Sequence, residues 1–256
     1  EAKLTEGGIR GANADLAPHW RAVWGEPRPA RGGSEADAEY GGVGAQARTG
    51  PRRLPLSKVL PTSYPERFDL RERAVRLHGA GRLLHLHVSP GCGRRPVHFL
   101  VYWGHHGART PSHPAYAENE RNLSLLLDIA AQIGDQPIVL CGDFNVQVDE
   151  SAVLGAALNA EGEAGEGPVW QDAAELWARR SGTEPATTCR PRGQTPSRID
   201  LALLNSRAAA ALEGVEVLEG CSWSPHLPLV LTFRSDGPEQ LVDRWKRPRH
   251  LPLPEL

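Results

Sequence analysis

The sequence predicts a single α+β domain with mixed sheets, and three observations lead there. Its 256 residues suffice for one substantial core. Before residue 104, short apolar runs are separated by glycine turns, as in hairpins; after it, apolar runs alternate with segments of helical periodicity. No segment recurs at a fixed period, so a repeat architecture is not indicated.

Residues 27–65 are crowded with Pro, Gly, Arg and Ser and read as an irregular insert or long loop, with a weak strand hinted only at 40–45. Residues 74–78 and 83–88, separated by Gly79-Ala80-Gly81, read as a hairpin, and 97–103, bounded by Pro96 and Gly104, as a third strand. Over 117–133, Leu123, Leu126, Leu127, Ile129, Ala130 and Ile133 form a helical stripe, and Gly134 stands where a helix C-terminal glycine is favoured. Residues 137–141 form the next apolar strand. Trp170, Ala173, Ala174 and Trp177 share a face and predict a helix over 169–179. Two late core strands follow at 198–204 and 227–233, linked by an Ala-rich helical turn at 208–212. The domain is expected to span 1–235, with a Pro-rich linker or tail over 236–256.

A net charge of −2 excludes a globally basic nucleic-acid binder but not a local basic patch. Arg48, Arg52 and Arg53, and separately Arg244, Lys246, Arg247 and Arg249, read as solvated loop charge that can reach a DNA backbone. Cys92, Cys141, Cys189 and Cys221 are far apart with no C-x-x-C pair, which argues for reduced thiols rather than a zinc ribbon or disulfide framework. No apolar run approaches the roughly 20 residues of a membrane span, and no signal peptide opens the chain, so no membrane partner is expected. Met is absent throughout, position 1 included. Together with the Pro-rich tail, this leads to the expectation of a piece of a longer protein.

Gly142-Asp143-Phe144-Asn145, coming directly off an apolar strand, is the most informative segment. On an extended chain Asp143 and Asn145 share a face while Phe144 turns away. A carboxylate beside an amide can take a proton from water and hold that water in place; an Asx-rich turn is the bland alternative. Asp200, in Arg198-Ile199-Asp200, opens a strand among apolar neighbours and needs a hydrogen-bonded partner. His226 precedes the last apolar strand, and a carboxylate holding its imidazole would fix the tautomer and favour the cation. The His105-His106 pair, with His113 nearby, superficially suggests a metal cluster; adjacent strand residues point oppositely, so a phosphate contact by one of them is the better reading.

With these residues in this order, the chain resembles the endonuclease/exonuclease/phosphatase family, the group that includes deoxyribonuclease I, abasic-site endonucleases, inositol polyphosphate phosphatases and retrotransposon endonucleases. The resemblance rests on Gly-Asp-Phe-Asn at 142–145, Arg-Ile-Asp at 198–200 and His-x-Pro at 226–228, and covers nearly the whole chain. Val101-Tyr102 followed by Gly104-His105-His106 looks like the family's strand-end tyrosine segment, and Glu1-Ala2-Lys3-Leu4 like the end of its metal motif. The resemblance implies a four-layer α/β/β/α sandwich of two packed mixed sheets flanked by helices, lacking its first strand. It implies Asp143 as the base for attacking water, Asn145 as its orienter, and His226, held by Asp200, as stabiliser of charge on the phosphoryl group. Tyr102 is expected to hydrogen-bond a non-bridging phosphate oxygen, His105 and Arg198 to contact substrate, and Glu1 to coordinate Mg²⁺, for which Mn²⁺ can substitute.

The family's last motif normally reads Ser-Asp-His, and here it reads Ser224-Pro225-His226, which removes an acid from the metal side. The implied function is metal-dependent phosphodiester hydrolysis of DNA by a monomeric endonuclease domain, in a non-LTR retroelement-like polyprotein continuing into a reverse transcriptase. A nuclear location would follow from that reading alone. A phosphatase or phosphodiesterase on small phosphorylated or lipid substrates, and a degenerate nucleic-acid-binding remnant, stand as alternatives.

Overall fold

The computed structural model describes residues 20–25, 43–48, 56–64, 66, 68–89, 95–162, 169–219 and 225–234. Glu1, Arg52, Arg53, the 40–42 part of the weak strand and the tail at 236–256 lie outside them. In chain order the elements are β1 (Trp20–Trp24), β2 (Gly44–Arg48), β3 (Leu56–Val59), α1 (Phe68–Gly79), β4 (Leu83–Val88) and β5 (Val97–Trp103). There follow α2 (Pro114–Ile133), β6 (Ile138–Asp143), α3 (Ala152–Asn159), β7 (Trp170–Asp172), α4 (Ala173–Ser181), β8 (Asp200–Asn205), α5 (Ser206–Ala211), β9 (Leu212–Val217) and β10 (Leu229–Phe233).

The central sheet has six strands in the order β3-β4-β5-β6-β8-β7. Only β5 and β6 run parallel, joined by the crossover helix α2 that a parallel pair requires. The two faces of this sheet are chemically distinct because side chains alternate along each strand. Leu100, Tyr102, Ile138, Leu140, Leu201 and Leu203 face the helices and pack with Leu123, Leu126 and Ile129 of α2. Phe99, Val139, Cys141, Ala202 and Leu204 face the other way, against Val215, Leu229, Leu231 and Phe233 of the antiparallel β9–β10 pair. Further along that second face, Val43, Val23 and Ala45 of the β1–β2 region pack with Leu84 and Leu86. Leu83, Leu84, Leu100, Leu140 and Leu203 are fully buried, each contributing on the order of 2 kcal/mol. The fold is thus the mixed α+β class that the sequence predicts: a six-stranded mixed sheet, a second strand layer and flanking helices.

Four local expectations change. The supposed hairpin arm at 74–78 is the second half of α1. Leu70, Ala74, Leu77 and His78 are buried on one face while Val75 is exposed, a helical rather than an alternating pattern. Gly79-Ala80-Gly81 is the helix's C-terminal turn, with Gly81 at φ 67 donating to His78 O; the actual hairpin is β4–β5. The helix expected from 169 begins only at Ala173, because Trp170–Asp172 first pairs with β8 and Asp172 then caps α4, its Oδ1 accepting from Ala174 N. Helix α3, nucleated by the Ser151 cap, and strand β9 were not anticipated. The region 27–65, expected to be irregular, contributes β2 and β3. Cys141 and Cys189 are free thiols, and burial pushes the Cys141 thiol up to about 12. Among the described residues no helix is long and apolar enough to cross a membrane.

Away from the second strand layer, three histidines meet on the helix-facing side of β4 and β5. His85, 3% exposed, shares hydrogen bonds with Tyr64 Oη (3.1 Å) and His98 Nδ1 (2.9 Å), and His87 stacks obliquely on His98. Burial, then the neighbouring His98 and His87, lowers the His85 pKa from 6.5 to about 3; His98 is lowered for the same kinds of reason. The unfolded chain therefore takes up protons below 6.5 that the folded cluster refuses. Stability is present above that pH and is lost as pH falls toward 3, at about 1.4 kcal/mol per pH unit for one fully titrating group. Urea unfolding between about pH 7.5 and about pH 4.5 measures this. His85→Gln, which cannot titrate, is expected to flatten the acid slope by up to that amount; an unchanged slope would exclude His85 as its source.

Candidate active site

The site is built where β5 and β6 end together and β8 begins. Register places Asp143 beside Trp103 on one side and beside Asp200 on the other, so these three side chains project from the same sheet face. The strands come unusually close. Gly142, at φ 139, passes so near β5 that a Cβ there would lie 2.0 Å from Tyr102 O.

Beyond Asp143 the chain turns sharply. Asn145 adopts a left-handed φ of 52. Its backbone N–H donates to Asp143 Oδ1 (3.0 Å), and its Nδ2 donates to Asp143 Oδ2 (3.0 Å) and to Gly104 O (3.2 Å). Asp143 and Asn145 are brought together as the spacing implied, but through an Asx-type turn rather than a continued strand. Phe144 turns into the helix-side core, fully buried, its N–H bonded to Ile199 O and its ring edge-on to Tyr102.

His226 arrives from a different part of the chain. A short loop anchors it: Leu227 N donates to Thr188 O, Arg190 N donates to Pro225 O, and Thr188 Oγ1 accepts from Asp200 N. The imidazole Nδ1 lies 2.9 and 3.1 Å from the two Asp200 carboxylate oxygens. This pairing raises the His226 pKa above 6.5, the hydrogen bond that the imidazole donates to Asp200 being the largest cause. Asp143 is raised to about 6, first by burial and then by the charge of Asp200, with His226 acting in the opposite sense. Two carboxylates and one imidazole thus share an open cavity of about 610 Å³ that Asn145, Trp103 and His106 also line.

Ligand atoms of Asp143, Asp200 and His226 all lie within 4.8 Å of one another. Two carboxylates directly opposite on adjacent strands repel unless a cation balances them. His226 Nδ1 is already committed to Asp200, which leaves the two carboxylates as oxygen donors. That donor set fits a hard divalent cation whose remaining positions are filled by water or phosphate.

Other predicted residues sit elsewhere. Tyr102 borders the cavity, but it is 1% exposed and its hydroxyl donates to Asn119 Oδ1 (2.7 Å) on the helix side; burial pushes its phenol pKa up. It is one residue out of phase with Asp143, and Trp103 occupies the corresponding place on the cavity face. His105 packs against α2, its Nε2 3.2 Å from Asn122 Nδ2 and 3.5 Å from Glu118, while its neighbour His106 lines the cavity. Arg198 is drawn to α4 by Asp172 and by Glu175 (3.1 Å), because a carboxylate as buried as Asp172 requires a counter-charge. Its guanidinium is therefore engaged away from the expected substrate. Glu1 lies outside the described residues. Trp103 is a cavity-lining residue that the sequence reading does not name, and of the His105-His106 pair, read as offering one phosphate contact, His106 is the member that lines the cavity; strand register is the signal for both.

Comparison with known proteins bears on the family and the fold. The model of the Endonuclease/Exonuclease/phosphatase family matches residues 16–236. No curated protein matches the chain in sequence. Among solved structures, a 3′ phosphatase, NExo, from Neisseria bound to product DNA hairpin is 17% identical with a TM-score of 0.58, covering 91% of this chain and 86% of that one. An AP endonuclease from Archaeoglobus fulgidus is 12% identical with a TM-score of 0.58, at 91% and 86% coverage. The endonuclease domain of TRAS1, a telomere-specific non-LTR retrotransposon, is 14% identical with a TM-score of 0.51, at 88% and 90%. These likenesses are of fold. The family match spans most of the chain, and the chain belongs to the endonuclease/exonuclease/phosphatase family.

Proposed function

We propose that the chain hydrolyses phosphodiester bonds in DNA as the endonuclease domain of a retroelement-like polyprotein, with Mg²⁺ or Mn²⁺ as its cation. The observation that carries this reading is the Asp200–His226 pair facing Asp143 and Asn145 across one cavity. The retroelement context rests on the resemblance of the motifs at 142–145, 198–200 and 226–228 to a family that includes retrotransposon endonucleases.

Asp143, which burial and the charge of Asp200 raise to about 6 before any cation binds, would take a proton from the attacking water. Asn145 is held against it and orients that water or the phosphate. His226, whose cationic form Asp200 favours, offers its Nε2 side to the charge that accumulates on phosphate oxygens. His106 replaces His105 as the phosphate contact. Asp143 and Asp200, with Glu1 beyond the described residues, would hold the cation, which supplies Lewis-acid neutralisation of phosphate charge.

Nicking of supercoiled plasmid, with and without Mg²⁺, tests the reading. Asp143→Ala is expected to lower Mg²⁺-dependent nicking by about 10²- to 10⁴-fold, the range of general-base contributions. Equal cleavage by both proteins, or none by the wild type, would remove the enzymatic assignment and favour a nucleic-acid-binding remnant. Hydrolysis of inositol phosphates without nicking would favour a phosphatase.

The Asp200–His226 pair has a separate signature. In chelator-treated protein, proton NMR is expected to show His226 titrating above 6.5, and Asp200→Asn to shift that titration downward. A His226 pKa that does not move in Asp200→Asn would show that the carboxylate is not what keeps the imidazole charged.

A further inference from the structure

The turn bearing Asp143 and Asn145 is fastened from behind by a helix. Asn119, in the second turn of α2, is 1% exposed. Its Oδ1 accepts from Tyr102 O–H (2.7 Å) and from His105 N–H (3.0 Å), and its Nδ2 donates to Phe144 O (3.1 Å). All three bonds leave the helix: one ends on Tyr102 in β5, and the other two on the strand-end loops that frame the site, at His105 and Phe144. A buried amide in a helix interior is disfavoured against Ala or Leu in both propensity and desolvation, so a simply structural core position would not favour it.

Gly104 tightens the same knot. Its N–H donates to Asp143 O (2.6 Å), and its carbonyl accepts from Asn145 Nδ2 and from Arg82 Nη1 (2.8 Å). A Cβ on Gly104 would lie 2.1 Å from Phe144 O and 3.1 Å from Asn119 Oδ1, so the loops are pressed together where Asn119 joins them. Phe144 is the residue between Asp143 and Asn145. Fixing its carbonyl fixes the peptide leading into the left-handed Asn145, a conformation that a free chain rarely adopts.

We propose that Asn119 and Tyr102 are positioning residues: Tyr102 O–H orients the Asn119 amide, and the amide locks the Phe144 carbonyl so that Asp143 and Asn145 present their side chains to the phosphate. This rests on the phosphodiesterase reading above and deepens it. It also gives Tyr102 a different part from the phosphate contact expected of it, since the hydroxyl works through Asn119 on the far face of the sheet.

Displacements of about 1 Å in a catalytic group cost on the order of 10²-fold in rate. Steady-state nicking should show kcat lowered about tenfold in Tyr102→Phe and about hundredfold in Asn119→Ala, with KM within about twofold, the pattern of a lost transition-state alignment. The double variant Tyr102→Phe/Asn119→Ala should be no slower than Asn119→Ala, because the hydroxyl acts through the amide. A merely structural role would lower the thermal midpoint and leave kcat of the folded protein unchanged. Tyr102→Phe preserves the ring against Phe144 and keeps the test available should Asn119→Ala fail to fold.

Amide hydrogen exchange at Phe144 and Asn145 provides a readout independent of turnover. Both N–H groups are hydrogen-bonded, to Ile199 O and Asp143 Oδ1. They should exchange about tenfold faster in Asn119→Ala, and measurably faster in Tyr102→Phe, while exchange in β4 stays unchanged. If the wild type does not cleave DNA, the functional reading falls and exchange alone decides the positioning role. Exchange at these two amides equal to wild type in both variants, or additive kcat losses in the double variant, would overturn the proposal.

Discussion

The parallel pairing of β5 with β6 is the constraint on which the rest of the structure depends. A parallel pair needs a crossover, supplied by α2, and it brings the C-terminal ends of two strands to one edge of the sheet. Antiparallel β8 begins at that same edge, so Asp200 enters beside Asp143 without any further device. Gly142 and Gly104 let the backbones close to distances that a Cβ would forbid, and the crossover helix returns Asn119 to the junction it created. The element that makes the topology possible is also the one that fastens the site.

The same pairing separates the two faces of the site region. Everything in phase with Asp143, namely Trp103 and Asp200, faces the cavity. Everything in phase with Gly142, namely Tyr102 and Leu201, faces the helices and is buried. Burial on one side is what raises Asp143 to about 6, and the like charge of Asp200 adds to it. The imidazole of His226 opposes that effect and is itself raised by the same carboxylate, so the titrations of Asp143 and His226 are linked.

This explains which features were legible in the sequence. Strands β4 and β5 were bounded correctly because glycine and proline punctuate them, and the long apolar stripe of α2 is unambiguous. Asp143 with Asn145, and Asp200 with His226, came together as the motifs implied. The 74–78 run was misassigned because five residues are too few to separate a helical period from an alternating one. β7 is only three residues long, and it exists because β8 offers an edge, not because Trp-Gln-Asp has a strand pattern. The choice between Tyr102 and Trp103, or His105 and His106, depends on parity relative to a strand some forty residues away. Local sequence carries no information about that parity. Arg198 was drawn out of the substrate assignment by Asp172, a long-range partner that becomes visible only once α4 is placed against β8.

Charge balance gives Pro225 its meaning. Asp143 and Asp200 stand directly opposite each other at the cavity, with the His226 imidazole against Asp200. Under the proposed function a divalent cation would offset these carboxylates, and an acid at 225, where the resemblance to the family motif would place one, would add a further negative charge. Proline there would leave the cation more weakly held and the loaded site less negative toward the phosphate. Under the proposed function, cation and phosphate would each help the other to bind, because neither finds full charge compensation in the protein alone. Asp200 is already compensated in part, since its carboxylate lies within 3.1 Å of the His226 imidazole, so it would bring less unbalanced charge to the cation than Asp143 does.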